Sequence, residues 1–458
     1  MYELTVVLDD KHRLPLYEQL YRQLAREIIA GRLPSGTRLP SRRGLSRSLG
    51  ISEQTVGTAL DLLKAEGFLL SQPRRGLFVA GIKPLPGIAM PDPPAAPQPT
   101  ARQARFDFSP QGVDTGLFPT KTWIKLLRDS LLDRPELLGK GEARGEASLR
   151  TALAAFLYQY RAVRCEAGQI IIGSGVDQLL GVLGQLLPPG CRVALEDPGY
   201  PEAGSALMRQ GHVALPIPLD GQGPDMEALA DARAALLYIT PSHQFPTGLS
   251  MPAGRRTALL HWAAGGERYL IEDDYDSEFR YASRPLPALQ GMDGGQKVVY
   301  IGTFSRSLAP GLRVAYMALP DTLLARYKAL KLRSGDTVSR FEQHALAELI
   351  DQGHYARHLR RAGSVYQKRC QRLCELLLEI PGSSIKGQDA GLHFLFSITG
   401  REEKELIKKA RQAGIPLRGL HEYSARAQLP QALVLGFAGI SDAHLEDAVS
   451  ALRKAWRI

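Results

Sequence analysis

"YIGTFSRSLAPGLRVAYMALP", residues 300–320, begins as a strand, stops being one, and then becomes one again. The apolar run gives way at Thr303, Phe304 and Ser305 and resumes after Leu312 and Arg313. Hydroxyls and cations in the break predict a phosphate-lined loop at a strand end, with Arg306 delivered into a buried site. Similar apolar runs recur from Phe106 onward: "QIIIGSG" (169–175), "RVALED" (192–197), "AALLYIT" (234–240), "RYLIEDD" (268–274) and "KVVYIGT" (297–303). Each ends in a polar loop and is separated from the next by a helical pattern. This is the α/β signature, in which ligands bind beyond the carboxyl ends of the strands. From about Arg340 the pattern is helical and then mixed, which predicts a smaller C-terminal lobe.

The chain upstream reads differently. Residues 84–99, "PLPGIAMPDPPAAPQP", contain seven prolines in sixteen positions, which excludes helix and central strand. A stretch this long and proline-dense predicts a linker, and residues 81–105 in polyproline form would reach roughly 75 Å at about 3.1 Å per residue. Before it, Leu16, Leu20, Leu24 and Ile28 recur every four residues behind Pro15, predicting a first helix. Ser41 caps a second in "SRRGLSRSLG", which stops near Gly50. Ser52 opens a third, with Val56, Leu60 and Leu63 on one face and Gly67 beyond its end. "FLLSQPRRGLFVA" reads as two short strands around Pro73–Gly76. Three helices and a hairpin predict a winged helix-turn-helix over residues 1–80, a linker over 81–105, and an α/β domain over 106–458.

The totals narrow the function classes. An apolar share of 44% with 23% charged residues describes a globular chain, and no uninterrupted apolar run is long enough to span a membrane. The first residues lack the basic and apolar regions of a secretory signal. Cys165, Cys191, Cys370 and Cys374 show no CxxC pair or metal-ligand spacing, so neither disulfides nor a metal site is expected, and the cytoplasm is. A net charge of +10 suits a nucleic-acid partner without requiring one.

For duplex DNA, the third helix would enter the major groove with Ser52, Gln54 and Thr55 toward base edges. Arg42 and Arg43 at the start of the second helix, with Arg47 further along, suit phosphate contact, and Arg74 and Arg75 sit at the wing tip. Residues 1–80 carry twelve basic against eight acidic residues, a net of +4. A winged helix can also dock proteins, but the arginines fall where DNA contact needs them. "LPSRRGLSRSLGISEQTVGTALDLLKAEGFL" resembles the GntR-type winged helix-turn-helix across about residues 12–80. Glu53 departs from that pattern by replacing a DNA-contacting arginine. A carboxylate cannot bond phosphate, but it can accept from a cytosine amino group or pair with a nearby arginine.

The loops of the α/β part match what pyridoxal phosphate requires. Its phosphate needs N–H groups, hydroxyls and a cation; its pyridine nitrogen needs a carboxylate; its ring needs a flat cover; its aldehyde needs an amine. The backbone N–H groups of Gly175, Val176 and Asp177, after Ser174, suit the phosphate, as do Thr303, Ser305 and Arg313. Tyr200 offers the ring cover, and Asp273 and Tyr275 follow an apolar strand. Each has an ordinary structural reading alone, but together at successive strand ends they form a pattern.

"SPQGVDTGLFP", "EDPGYPE", "TPSHQFPTGLSM" and "IEDDYDSEFRY", with residues 300–320, resemble the aminotransferase-like domain of MocR/GabR-type regulators. These join a GntR-type winged helix to a fold-type-I aminotransferase domain, so the resemblance spans nearly the whole chain. It implies that Asp273 pairs with the pyridine nitrogen, Tyr200 stacks on the ring and Tyr275 bonds the ring hydroxyl. Thr303, Ser305 and Arg313 would hold phosphate. Phe245 stands where the enzymes carry asparagine, Lys140 where tyrosine is common, and Val434 near their substrate-carboxylate arginine, with Arg418 a weak substitute. Arg306 occupies the position of the Schiff-base lysine. A guanidinium has a pKa above about 12, so it offers no neutral amine, whether it arose naturally or by deliberate replacement.

The expected function is therefore a cytoplasmic, homodimeric, DNA-binding regulator, with a head-to-tail pairing open to it through the long linker. It would sense pyridoxal phosphate, an amino acid or their adduct, with the cofactor held non-covalently and no transamination. The rival readings are an aminotransferase with a DNA-binding appendage, and a winged helix joined to a domain for some other ligand.

Overall fold

The computed structural model describes residues 8–9, 14–81, 106–281, 287–425 and 429–458. The chain separates into two compact units, Met1–Arg102 and Gln103–Ile458. Residues 82–105, nearly all of the expected linker, lie outside the described residues.

In the first unit, helix α1 (Leu16–Ile29) buries Leu20, Leu24 and Ile28, the stripe that its four-residue spacing lays on one face. Pro15 stands just outside the helix as its N-cap residue. Helix α2 (Arg42–Leu49) is capped by Ser41, whose Oγ accepts from the Gly44 N–H at 3.1 Å, and it ends at Gly50 with φ +67°. That left-handed turn favours glycine and redirects the chain into α3 (Glu53–Ala65). Val56, Leu60 and Leu63 of α3 pack with the α1 stripe into one core. Strands β1 (Leu69–Gln72) and β2 (Gly76–Val79) form the antiparallel hairpin. Arg38 bridges to Phe78 as a further edge, a pairing that one isolated residue gives no periodicity to announce.

The second unit is built on an eight-stranded sheet in the order β3 (Ile170–Gly173), β10 (Ala315–Ala318), β9 (Val298–Thr303), β8 (Tyr269–Asp273), β7 (Leu236–Ile239), β4 (Arg192–Asp197), β5 (Val213–Asp220), β6 (Gly223–Pro224). The neighbours from β9 through β5 run parallel, while β10 is antiparallel to both β9 and β3. Side chains alternate between faces: Leu236 and Tyr238 enter one core, Leu237 and Ile239 another. Both faces are covered, which is why these strands read as continuous apolar runs. Helices α4 (Thr120–Asp133) and α5 (Ala147–Arg161) cover the unit before β3, and α6 (Val176–Leu186) and α7 (Pro201–Met208) follow β3 and β4.

Beyond the sheet, the helix Arg340–Asp351 packs on α4 and α5, and the 25-residue helix His354–Leu378 leads to a second sheet. That sheet orders β11 (Ser383–Lys386), β12 (His393–Ile398), β14 (Leu433–Gly436) and β13 (Arg418–Gly419), all antiparallel. The opening segment of the unit returns to it, since the Gly436 N–H donates to the Phe108 carbonyl at 2.9 Å. No helix among the described residues is long and apolar enough to cross a membrane.

Candidate functional site

The carboxyl ends of β3, β4, β8 and β9 converge on a cleft of about 220 Å³. Gly175, Val176 and Asp177 reach it from the β3–α6 turn, Tyr200 from the β4–α7 turn, Asp273 from the end of β8 and Tyr275 from just beyond it. Thr303, Ser305, Arg306 and Arg313 reach it from the break in residues 300–320. Ser174 is not in the lining; it sits one residue before the glycine that turns the chain into the cleft. The Asp177 carboxylate points to Arg209 at 2.5 Å with half its side chain exposed, which leaves its backbone as the part suited to a ligand.

The acidic run at 272–276 divides its work. Glu272 is buried and accepts from the Leu289 and Gln290 N–H groups at 2.8 and 2.9 Å, holding the following loop. Asp274 pairs with Arg161 at 2.7 Å and accepts from the Tyr300 hydroxyl at 2.7 Å. Burial alone would raise Asp274, yet Arg161 and these hydrogen bonds hold its carboxyl below the ordinary range. Asp276 accepts from His243 Nδ1 at 3.1 Å, and the Tyr275 hydroxyl donates to the His243 carbonyl at 2.9 Å. Asp273 faces the cleft. Its Oδ2 accepts from the Tyr238 hydroxyl, and its Oδ1 is buried without a partner among the described residues. Burial pushes this carboxyl up to about 7 against the Tyr238 hydrogen bond, and Asp274 and Asp276 add to the rise.

At the opposite end, Gly175 has φ +143°, and a Cβ there would stand 2.6 Å from the Arg313 guanidinium. Backbone and cation thus approach each other as closely as glycine permits. Thr303 Oγ1 caps the short helix Phe304–Ser307 by accepting from the Ser305 N–H at 3.1 Å, which turns both hydroxyls and Arg306 inward. Arg306 is 8% exposed. Its guanidinium donates to the carbonyls of Pro110 and, at 3.4 Å, Gly112, while Nε has no partner among the described residues.

Aromatic rings close the side near Tyr200. Phe245 meets Tyr200 edge-on at 6.0 Å and Tyr423 at 4.9 Å, and Val434 is buried in the same cluster. Arg418 pairs with Val434 across the strands and is exposed, and neither it nor Lys140 lines the cleft. Sequence reading missed Tyr238, Thr240, Pro110, Gln111 and Pro310 in the lining. It also missed the group His243, Asp276 and His393, whose ligand-type atoms lie within 4.8 Å of one another. His393 is far from the others in sequence, so spacing could not reveal that group.

In the first unit, Ser52, Gln54, Arg43, Arg74 and Arg75 are exposed on α3, α2 and the hairpin turn. Ser52 Oγ accepts from the Thr55 N–H at 3.0 Å and lies 2.8 Å from Thr55 Oγ1, so part of the hydrogen-bonding capacity expected for base contact is spent on the cap. Arg42 pairs with Asp61 at 3.6 Å and lies over Gly57, where a Cβ would come within 2.8 Å of its Cζ. Among the described residues Glu53 joins no ion pair. Arg75 stacks over Phe78 at 5.8 Å.

Comparison with known proteins matches both units. Residues 16–79 match the family model for bacterial regulatory proteins of the gntR family, and residues 112–452 match aminotransferase class I and II. The HTH-type transcriptional regulator YdeL of Bacillus subtilis is 37% identical over 466 residues, with 100% of each chain covered. The probable rhizopine catabolism regulatory protein MocR of Rhizobium meliloti is 33% identical, covering 98% of this chain and 96% of that one. The pyridoxine biosynthesis transcriptional regulator PdxR of Corynebacterium glutamicum is 29% identical, covering 98% and 99%. Among solved structures, the α-aminoadipate aminotransferase LysN of Thermus thermophilus, complexed with N-(5'-phosphopyridoxyl)-L-leucine, is 26% identical with a TM-score of 0.66 over 76% of this chain and 91% of its own.

Proposed function

Because the chain belongs to the MocR-type transcriptional regulators, with a gntR-family DNA-binding domain and an aminotransferase class I and II domain, we propose that its cleft is a sensor site. The ligand is pyridoxal phosphate, alone or with an amino-acid-type effector, held without a covalent bond. The observation that carries this reading is Asp273 Oδ1, a buried acceptor without a partner among the described residues, on the wall of a cleft whose other end offers N–H groups, hydroxyls and a cation. A pyridinium N–H would satisfy that oxygen, and the protonated ring would supply the missing countercharge. Gly175, Thr303, Ser305 and Arg313 suit the phosphate, and Tyr200 suits the ring face.

When bound, pyridoxal phosphate supplies an electron-accepting ring and a reactive aldehyde. This chain's residues orient it and withhold the amine that would use it. Tyr238 fixes the Asp273 carboxylate, the His243–Asp276 pair fixes Tyr275, and Arg306 in the lysine position offers a guanidinium in place of a primary amine. The names of PdxR and LysN's ligand support the choice of a pyridoxal-type molecule. Calorimetric titration of the full chain with pyridoxal phosphate tests this, and absence of binding would remove the sensor reading. The alternative, an aminotransferase with a DNA-binding appendage, requires amino-acid-dependent cofactor conversion, which a single-turnover assay would detect.

The DNA-binding half leads to its own expectation. Arg43→Ala or Arg75→Ala should weaken binding to all sequences, and each phosphate partner removed should lower the slope of log K against log salt by roughly 0.9. Gln54→Ala should instead change sequence preference, and an unchanged preference would exclude Gln54 as a base reader. The chain is proposed to work in the cytoplasm as a homodimer, with paired recognition helices reading two half-sites. Sedimentation at micromolar concentration should give twice the mass of one chain, and a stable monomer would refute the dimer.

A further inference from the structure

Resting on the sensor reading above, we propose that Arg306 selects among phosphorylated pyridines by charge: the cleft accepts the aldehyde and alcohol forms of vitamin B6 phosphate and rejects the amine form. The Asp273 carboxylate and the cup around Arg313 would hold two points of such a ring, its nitrogen and its phosphate arm. The substituent para to the nitrogen is the point on which the three forms differ, and it neighbours the phosphate-bearing carbon. Arg306 comes directly after Ser305 in the phosphate loop and lines the same cleft.

No carboxylate among the described residues pairs with its charge. Arg306 forms no ion pair among the described residues, and its guanidinium contacts are the neutral carbonyls of Pro110 and Gly112. Of the two carboxylates in the described lining, Asp273 would be taken by the ring nitrogen on the reading above, and Asp177 pairs with Arg209. Arg306 Nε, buried and without an acceptor among the described residues, is a donor in want of an oxygen. An aldehyde or alcohol oxygen can accept from it. A primary ammonium cannot, and it sets a second positive charge against the first. A lysine in that position could discharge itself by losing a proton; arginine cannot.

Calorimetric titration of the full chain near neutral pH with pyridoxal phosphate, pyridoxine phosphate and pyridoxamine phosphate decides the matter, with inorganic phosphate as the control. The first two should bind within about threefold of each other and pyridoxamine phosphate roughly tenfold or more weakly, the scale of one uncompensated like-charge contact in a partly buried site. Pyridoxamine phosphate binding as tightly as pyridoxine phosphate would overturn the selection while leaving the sensor reading standing. If none of the three binds, both fall. Arg306→Gln keeps a donor for the Pro110 carbonyl and removes the charge, so the preference should shrink to within about threefold. A preference retained in that variant would assign the selection elsewhere. The ligand series on the unaltered chain stands even if the variant does not fold.

Discussion

In an Arg306→Lys variant mixed with excess pyridoxal phosphate and then borohydride, intact mass should rise by one reduced cofactor per chain, mapped to the peptide containing position 306. The unaltered chain treated identically should show no adduct there. The difference is one of kind, because attachment needs a neutral primary amine that can add to the aldehyde with loss of water. Lysine, with an ordinary pKa near 10.4, loses its proton readily when buried, whereas a guanidinium, whose pKa lies above about 12, offers no neutral amine. Arg306 is buried and its hydrogen-bond acceptors are the Pro110 and Gly112 carbonyls, which an ammonium can also serve. Peptide mapping separates this from labelling of surface lysines. An adduct at position 306 of the unaltered chain, or none in the lysine variant with cofactor in excess, would show that this loop does not hold the cofactor as proposed.

What the sequence disclosed follows the range of the interactions involved. The helices of the first unit were legible because their caps and stripes are local: Ser41 and Gly44, Ser52 and Thr55, and Leu20, Leu24 and Ile28 lie within a few turns of each other. The parallel strands were legible because burial on both faces leaves each an unbroken apolar run ending at a polar loop. Strand order was not, since nothing within "VAYMA" says that β10 inserts antiparallel between β9 and β3. Nor was the return of Phe108 to Gly436, a contact between opposite ends of the unit. In the site, residues that sit on strand ends were found, while those that support them were not. Tyr238 reads as one more apolar strand residue until its hydroxyl is seen on Asp273. His243 reads as a loop polar residue until Asp276 and Tyr275 are seen to hold it. The same limit applies to the run "EDDYDSE", whose composition does not say which carboxylate lines the cleft.

Within that run Asp273 is the carboxylate that lines the cleft, and replacing it with asparagine should stabilise the ligand-free chain while weakening ligand binding. The side chain is 4% exposed, and burial has pushed its carboxyl up to about 7. In the unfolded chain the group loses its proton near the ordinary value of about 4. Between those limits the folded chain holds a proton that the unfolded chain has released, so stability is full below about pH 4, falls as pH rises toward 7, and stays at the lower level above it. Asparagine can still accept from Tyr238 and carries no charge, so Asp273→Asn should be more stable than the unaltered chain at pH 8 by on the order of a few kcal/mol. At pH 4 the two should be nearly alike. Glu196 and Glu272, whose carboxyls burial also pushes up to about 7, titrate over the same range, so the variant-minus-parent difference in melting temperature is the quantity to read. Calorimetry should show pyridoxal phosphate affinity falling by roughly 30- to 100-fold, as a protonated pyridine is deprived of its ionic partner. If the variant gains no stability at pH 8, the buried charge of Asp273 is already compensated in the ligand-free chain. If it gains stability and binds the ligand undiminished, Asp273 is a strained structural acid and the ring nitrogen lies elsewhere.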